Sequence, residues 1–242
     1  WAMITLGLDP SLRAYGWAVH DNTKTGPARR VASGHEGTLP STVPVARFMH
    51  FRALVKDLIA KYNAEVVGIE SPAYQAGPFQ SIHFGLMMFS LEEVFERRRD
   101  CVMFDPSTLK LLAKEDPEKR KGVMSKLDMQ RRVQLDTMAT GVIDNNEADA
   151  YLVALYSARL VSLMRGQTKP TSLTPSEHRV FLTRQSSRKT LAGIVKKRVS
   201  YIFRENSRYY NFSKVPEGKV DLPSKAVVSK KLIDYLESLD DA

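Results

Sequence analysis

The sequence predicts an α/β domain built on a mixed five-stranded sheet flanked by helices, with a basic, mainly helical C-terminal extension. Three observations predict this fold class. The first 39 residues contain three consecutive strand patterns with no helix between them, which is typical of an antiparallel meander. From residue 45 onward, apolar strands alternate with helical segments, which is typical of parallel strands joined by helices. After a stretch rich in Thr, Ser and Pro, which begins near residue 167, the composition becomes basic.

The first four strands and two helices follow from local patterns. The meander is predicted from MITLGLD at 3–9, WAVH at 17–20 and the weaker RRVASGHEGTL at 29–39. Apolar residues recur at helical spacing over 45–62, which predicts an amphipathic helix. AEVVGIE, at 64–70, predicts a buried strand. A loop with glycine and proline separates it from an apolar helix over about 81–98.

The rest of the domain is predicted to contain one more strand and three helices. CVMFD, at 101–105, predicts the fifth strand, and PSTLKLLAK after it predicts a short helix that starts with proline. Further helices are predicted at about 125–138 and from near 146 to about 164. We place the domain boundary after residue 166, which divides the chain into a domain over 3–166 and an extension over 167–242. Within the extension, helices are predicted at about 175–184, 187–205 and 225–239.

Composition and charge narrow the class of protein. The hydrophobic fraction is 43% and the charged fraction 26%, which is typical of a globular chain. A single cysteine, Cys101, excludes an intrachain disulfide and suits a reducing compartment. The longest apolar run, GLMMFSL, is too short to cross a bilayer. We therefore expect a cytoplasmic protein with no membrane partner.

The positive charge is concentrated in the C-terminal third. Of the net charge of +9, +8 lies within residues 165–242, where 16 Lys and Arg stand against 8 Asp and Glu. Basic residues interleaved with aromatic ones, as in KKRVSYIFRENSRYYNF, suit contact with nucleic-acid phosphates and bases. A basic surface on an ordinary domain explains the same pattern.

Three acids occupy positions where carboxylates need an explanation. Asp9 and Glu70 each end a predicted apolar strand, and Asp149 lies in the first turns of a predicted apolar helix. A strand-end Asp commonly forms a turn, and an acid at a helix start complements the helix dipole, so each has a structural interpretation by itself. Together they supply hard oxygen ligands from separate elements, as a Mg²⁺ or Mn²⁺ site requires.

Three motifs carry a resemblance to a known family. GLDPSLRAYGWAV, VVGIESPAY and NEADAYLVA, in this order, resemble the motifs of the RuvC family of Holliday junction resolvases, within the RNase H-like superfamily. The resemblance covers roughly residues 3–164. It implies that Asp9, Glu70 and Asp149 bind two Mg²⁺ ions, for which Mn²⁺ can substitute. It further implies a homodimer that hydrolyses phosphodiester bonds of four-way or other branched DNA by symmetric nicking, with the helix over about 81–98 as the dimer interface.

The chain departs from the family pattern at one site position. The family usually has an acid or a histidine three residues before the last Asp, where this chain has Asn146. Asn146 can act as a weaker neutral ligand, Glu147 or Asp144 can substitute for the acid, or the asparagine can be an engineered replacement of Asp. An amide oxygen can bind Mg²⁺ but adds no charge and accepts no proton as a base.

The resemblance also implies residues that contact DNA. Lys126 resembles a family lysine that stabilises charge on the reacting phosphate, although a lysine at a helix start is often only solvated. In the loop after Glu70, the resemblance implies an aromatic residue that stacks on bases at the junction centre. Tyr74 and Phe79 are the candidates, although either can instead anchor the loop on the protein. The full set of predicted DNA-binding residues is Arg13, Tyr74, Phe79, Lys126, Arg131, Arg132, Lys196, Lys197 and Arg198.

Two other classes of function were weighed against a nuclease. The alternative is a junction-binding protein without catalytic activity, in which Asn146 in place of an acid has inactivated the metal site. An actin-like ATPase shares the first motif but needs a second glycine-rich phosphate loop and an adenosine-binding motif, neither of which is visible, so no nucleotide cofactor is expected. The additional basic third indicates a phage-type or otherwise divergent member, in the cytoplasm of a bacterium or of a phage-infected host.

Overall fold

The computed structural model describes residues 2–11, 14–39, 42–72, 80–114, 124–138, 143–182, 188–190, 193–195, 199–202 and 209–211. The first five strands form a mixed sheet in the order β3-β2-β1-β4-β5. Their bounds are β1 (Ile4–Asp9), β2 (Tyr15–Asp21), β3 (Arg30–Glu36), β4 (Val66–Glu70) and β5 (Asp100–Phe104). β1, β2 and β3 pair antiparallel, whereas β1, β4 and β5 pair parallel. The predicted meander and mixed five-stranded sheet are confirmed.

The C-terminal third adds strands where the sequence predicted a helix. Its strands are β6 (Arg188–Thr190), β7 (Gly193–Val195), β8 (Val199–Ile202) and β9 (Tyr209–Asn211). β6 and β7 form a hairpin, whereas β8 pairs antiparallel with β5 and β9 with β8, which extends the sheet to seven strands. The helix predicted over 187–205 is therefore wrong for its described residues. The β-branched and aromatic run VSYI favours a strand, and pairing covers the edge of β5.

The helices agree with the predicted ones to within a few residues over most of the domain. They are α1 (Pro44–Tyr62), α2 (Gln80–Glu96), α3 (Pro106–Ala113), α4 (Lys126–Thr137), α5 (Asn145–Met164) and α6 (Pro175–Glu177), which continues as a π-helical segment at His178–Leu182. The helix predicted over 225–239 lies outside the described residues. No helix in the described part of the chain is long and apolar enough to span a membrane. The domain boundary after residue 166 stays a prediction. Strand β8, which lies beyond that boundary, pairs with β5 of the first domain.

Each face of the sheet carries its own hydrophobic core. Residues of α3, α4 and α5 form the core on one face, and residues of α1 and α2 form the core on the other. α5 lies very close to the sheet, because a Cβ added to Gly7 of β1 would lie 1.9 Å from the backbone oxygen of Ala150. A Cβ on Gly16 of β2 would lie 2.3 Å from the backbone oxygen of Asn146. These two glycines let the first turns of α5 lie directly over the end of β1 and the start of β2.

A buried histidine under α5 lacks polar partners. His20 of β2 is 3% exposed, and neither ring nitrogen has a hydrogen-bond partner among the described residues. Its ring packs edge-on against Tyr151, with 5.8 Å between the centroids. Burial lowers the pKa of His20 to about 4 from 6.5, against the opposing effect of the nearby Asp136 carboxylate. The folded protein therefore holds this imidazole neutral well below the pH at which the unfolded chain protonates it.

We expect His20 to make the protein acid-sensitive. Because the folded-state pKa is lowered, its contribution to stability is complete above pH 6.5 and is lost as the pH falls towards 4, up to about 3 kcal/mol. Denaturant unfolding at several pH values between 7.5 and 4.5 measures this loss in the native chain. A His20→Phe variant keeps an aromatic ring and should show a shallower loss over the same range. Identical pH slopes in the two proteins would contradict the assignment.

Candidate active site

Asp9 and Glu70 lie side by side at the carboxyl ends of two parallel strands. The register pairs Leu8 of β1 with Ile69 of β4, so the next residues along the strands, Asp9 and Glu70, end at the same edge of the sheet. Side chains alternate along a strand, and Gly7 faces α5, so Asp9 faces α5 as well. Such an edge is where open α/β sheets form their sites.

The first turns of α5 bring Asn146 and Asp149 to the same edge. Asp144 caps the helix, and the Asn146 backbone N–H donates to its Oδ1 at 2.8 Å. The close approach over Gly16 fixes the Asn146 backbone beside the end of β1. Asp149, three residues on, is on the same side of the helix as Asn146. The Asn146 side-chain amide makes no hydrogen bond to any described residue, so its oxygen remains available as a ligand.

The carboxylates repel one another in a half-buried setting. Burial, followed by the charge of Asp149, raises the pKa of Asp9 to about 8. Burial raises the pKa of Asp149 to about 6, opposed by the charges of Lys126 and Lys110. The pKa of Glu70 is raised well above its usual value by burial and then by Asp9 and Asp149. Three acids from β1, β4 and α5 thus form one electrostatic cluster.

The buried acids of the described residues have side-chain partners there, whereas the three half-buried acids of the cluster do not. Glu93 binds Arg52 and Arg97, Glu177 binds Arg159, and Asp136 binds Arg29 and Tyr151. By contrast, Asp9, Glu70 and Asp149 have no side-chain hydrogen bond or ion pair with the described part of the chain. A buried carboxylate is costly without a partner. The cluster therefore carries negative charge that a bound cation would offset.

The donor set fits a hard divalent cation. All three carboxylates offer oxygen ligands, which Mg²⁺ and Mn²⁺ prefer. Among the described residues, no group of three or more His, Cys, Asp or Glu side chains is already arranged to hold a single ion.

Two lysines face the acid cluster, of which the sequence predicted one. Lys126, the first residue of α4, is exposed and lowers the pKa values of Asp9 and Asp149 by its charge. Lys110 of α3 is half-buried and acts in the same way on Glu70 and Asp149. Sequence analysis missed Lys110. The available signal was that it is the only charged residue of α3, PSTLKLLA, which follows a buried parallel strand of the sheet.

The two acids proposed as substitutes for Asn146 have other contacts. Ser33 Oγ donates to Glu147 Oε2 at 2.7 Å, and His35 Nδ1 lies 3.2 Å from Glu147 Oε1. Both partners belong to β3, so Glu147 is directed to the edge strand. Asp144 holds the α5 N-cap, although its charge still raises the pKa values of Asp9 and Asp149.

The predicted DNA-binding residues differ in how the structure presents them. Arg131 is exposed on α4, whereas Arg132 is half-buried with a buried Nε and forms a side-chain hydrogen bond with Tyr156. Arg132 is thus oriented towards the core, and its DNA contact stays a prediction. The remaining predicted residues lie outside the described residues, namely Arg13, Tyr74, Phe79, Lys196, Lys197 and Arg198.

α2, the predicted dimer interface, has an exposed apolar surface. Phe84 is 54% exposed and Met88 46%, although both are large hydrophobic residues, and Phe95 near the end of the helix is also exposed. Met49 of the adjacent α1 adds a further exposed apolar side chain. Exposed apolar surface of this kind is typical of a protein interface.

The sheet order and the helices on both faces define an RNase H-like α/β fold of the RuvC type, as predicted. Two solved structures that share it are T. thermophilus RuvC in complex with Holliday junction substrate, 16% identical, and a second Thermus thermophilus RuvC structure, 17% identical. Each matches with a TM-score of 0.55 and covers 66% of this chain and 96% of the RuvC chain. At this identity the likeness shows the fold. No protein-family model matches the chain, and neither does a curated protein.

Proposed function

We propose that this chain is a metal-dependent endonuclease that nicks four-way DNA junctions and other branched DNA. The observation that carries the proposal is the cluster of three half-buried carboxylates at the ends of β1 and β4 and the start of α5, which have no side-chain hydrogen bond or ion pair with the described residues. Lys110 and Lys126 face the same cluster. The carboxylates can bind divalent cations, and the neighbouring lysines can bind a phosphate. This combination suits phosphodiester hydrolysis.

Each side chain of the site has a distinct part in this proposal. Asp9, Glu70 and Asp149 would hold the ions, and Asn146 would add a neutral oxygen. Two divalent ions, Mg²⁺ or in its place Mn²⁺, would activate water and stabilise the leaving oxygen when bound. The lysines offset the negative charge of the carboxylates and would orient the scissile phosphate. Because the carboxylates lie on two paired strands and a helix packed against them, little entropy is lost in positioning them when ligands bind.

The proposed substrate and assembly rest on charge and exposed surface. The exposed Lys126 and Arg131 begin a basic surface, and the C-terminal third carries most of the net positive charge. Binding of a second copy through the exposed apolar residues of α2 would form a homodimer with two active sites. A two-fold axis between the sites suits a four-way junction, whose symmetry matches paired nicks.

A labelled four-way junction incubated with the chain tests this function directly. We expect paired nicks with Mg²⁺ or Mn²⁺ and none with EDTA. We also expect Asn146→Asp to nick faster than the native chain, by about tenfold, because an added carboxylate binds a hard cation more tightly than an amide does. Linear duplex DNA of the same sequence is the matched substrate control.

Asn146 also favours the second candidate, a junction-binding protein without nuclease activity. The two candidates differ in the outcome of the same assay. If the native chain binds junctions and only Asn146→Asp nicks them, the chain is a binding protein on a nuclease fold. If the variant also binds junctions but nicks none in Mg²⁺ or Mn²⁺, the nuclease proposal is wrong.

A further inference from the structure

The start of α5 is tied to the edge of the sheet by one carboxylate. Glu147 Oε2 accepts a hydrogen bond from the Ser33 hydroxyl at 2.7 Å, and His35 Nδ1 lies 3.2 Å from Glu147 Oε1. We call these three side chains the β3 clamp. Both partners lie on β3, which is the outermost strand on this side of the sheet. The clamp therefore joins two elements far apart in sequence and next to the candidate site.

The strand register places the clamp on the same face as the site. Asp9 pairs with Gly16, and Gly16 pairs with His35, so the three residues form one row across β1, β2 and β3. Residues paired in this way share a face of the sheet. The Asn146 backbone lies over Gly16, in the middle of the row. α5 thus begins between Asp9 on one side and the clamp on the other.

Helix geometry couples the clamp to the metal-site side chains. Residues 147 and 149 are two apart and therefore point about 200° apart around the helix. When Glu147 faces β3, Asp149 faces the opposite side, where it interacts electrostatically with Asp9 and Glu70. Rotation of the first turn would swing both side chains together. The glycine contacts set how close α5 lies to the sheet, and the Glu147 contacts add a side-chain restraint on the rotation of its first turn.

We propose that Glu147, held by Ser33 and His35, is a positioning residue that sets the rotation of the first turn of α5 and so directs Asn146 and Asp149 into the site. This inference rests on the proposed nuclease function and adds residues to it. It also gives Glu147 a structural task in place of the ligand role open to it from the sequence. Loss of the clamp should loosen the helix start without removing any candidate ligand.

The test compares Glu147→Ala with two further variants. Glu147→Gln keeps a carbonyl oxygen that can accept a hydrogen bond from the Ser33 hydroxyl. This variant should therefore retain part of the activity that Glu147→Ala loses. Glu36→Ala is the matched control, because Glu36 is also a β3 carboxylate paired with a histidine, His50, at 2.9 Å, but it ties β3 to α1 instead. A thermal melt of each variant establishes that it is folded before any comparison.

We expect Glu147→Ala to lower kcat for junction nicking about ten- to a hundredfold while the junction Kd stays within about twofold. The Mg²⁺ concentration that gives half of the thermal shift should rise about tenfold. Amide hydrogen exchange over residues 145–150 should be faster in the absence of divalent ions. The Glu36→Ala control should match the native chain in all three measurements.

Two results would overturn the clamp. One is a Glu147→Ala variant that equals Glu36→Ala in kcat, in Mg²⁺ half-saturation and in exchange. The other is a rise in junction Kd with kcat unchanged, which would make Glu147 part of the DNA contact surface. Failure of the nuclease proposal is distinguishable, because the native chain and Asn146→Asp would then never nick. The Mg²⁺ shift and the exchange rates still decide the clamp in that case.

Discussion

Asp9→Asn is expected to abolish junction nicking and, at the same time, to make the protein more stable in the absence of metal. The loss of nicking should be about a thousandfold or more, because a metal-ion site lowers the activation barrier by several kcal/mol. The gain in stability follows from the pKa of Asp9, which burial and Asp149 raise to about 8. One substitution should thus separate what the site does for catalysis from what it costs in folding.

The direction of the stability change depends on pH in a defined way. The folded-state pKa lies above the unfolded value of 3.8, so ionising Asp9 costs folding free energy, and the cost grows as the pH rises from about 4 to about 8. Removing the charge at pH 7.5 should stabilise the protein in EDTA by about 2 kcal/mol or more. At pH 5 the gain should be smaller, since the cost has only begun to accumulate there.

Thermal or denaturant unfolding in EDTA measures this gain, and Asp136→Asn is the matched control. Asp136 is also largely buried, but it is bonded to Arg29 and Tyr151, so its replacement should destabilise the protein. Added Mg²⁺ should stabilise the native chain much more than Asp9→Asn. A variant that is less stable than the native chain in EDTA, or that still nicks junctions within tenfold of it, would contradict our account of the cluster.

Gly7→Ala is expected to destabilise the fold by about 3 kcal/mol or more, at the upper end of what overpacking costs. Its Cβ would lie 1.9 Å from the Ala150 backbone oxygen and 2.6 Å from the Ala154 backbone nitrogen. Backbone atoms in the middle of a helix cannot rotate away as a side chain can. α5 as a whole would have to move off the sheet, and Asp149, next to Ala150, would move with it.

Urea unfolding of Gly7→Ala gives the stability change, and junction nicking at low temperature gives its effect on the site. Gly85→Ala in α2 is the control, since the nearest atoms to its added Cβ belong to the movable Phe48 ring and alanine favours a helix. Its stability should change by less than about 1 kcal/mol. If Gly7→Ala unfolds at the same urea concentration as Gly85→Ala, the close packing of α5 is not what positions the site.

Local patterns in the sequence were enough for most elements of the domain. The strand ending in Asp9 and the strand ending in Glu70 are short, apolar and bounded by turn residues, so their type and limits follow from composition. The same reasoning was wrong over 187–205. There the VSYI run pairs with β5, and a partner strand so distant in sequence leaves no local signal.

The candidate site divides in the same way. Glu70 stood out because a carboxylate that ends an apolar strand is costly without a partner. Asp9 and Asp149 each have a structural interpretation alone, and they joined Glu70 through the three-acid pattern and the resemblance of the three motifs to those of the RuvC family. Lys110 and the Ser33 and His35 contacts to Glu147 did not stand out. Each depends on two elements that only packing brings together, and the residues themselves are common on surfaces.

The sequence by itself determined the class of fold and pointed to three acids as candidate ligands, because apolar periodicity and short motifs are local properties of the chain. The tertiary structure alone decided how those acids meet. The register of β1 with β4 sets Asp9 beside Glu70, and the glycines under α5 let the helix approach. Ser33 of the edge strand β3 then binds the Glu147 side chain through a hydrogen bond. Distances between elements arise from packing the whole domain, and no single segment encodes them.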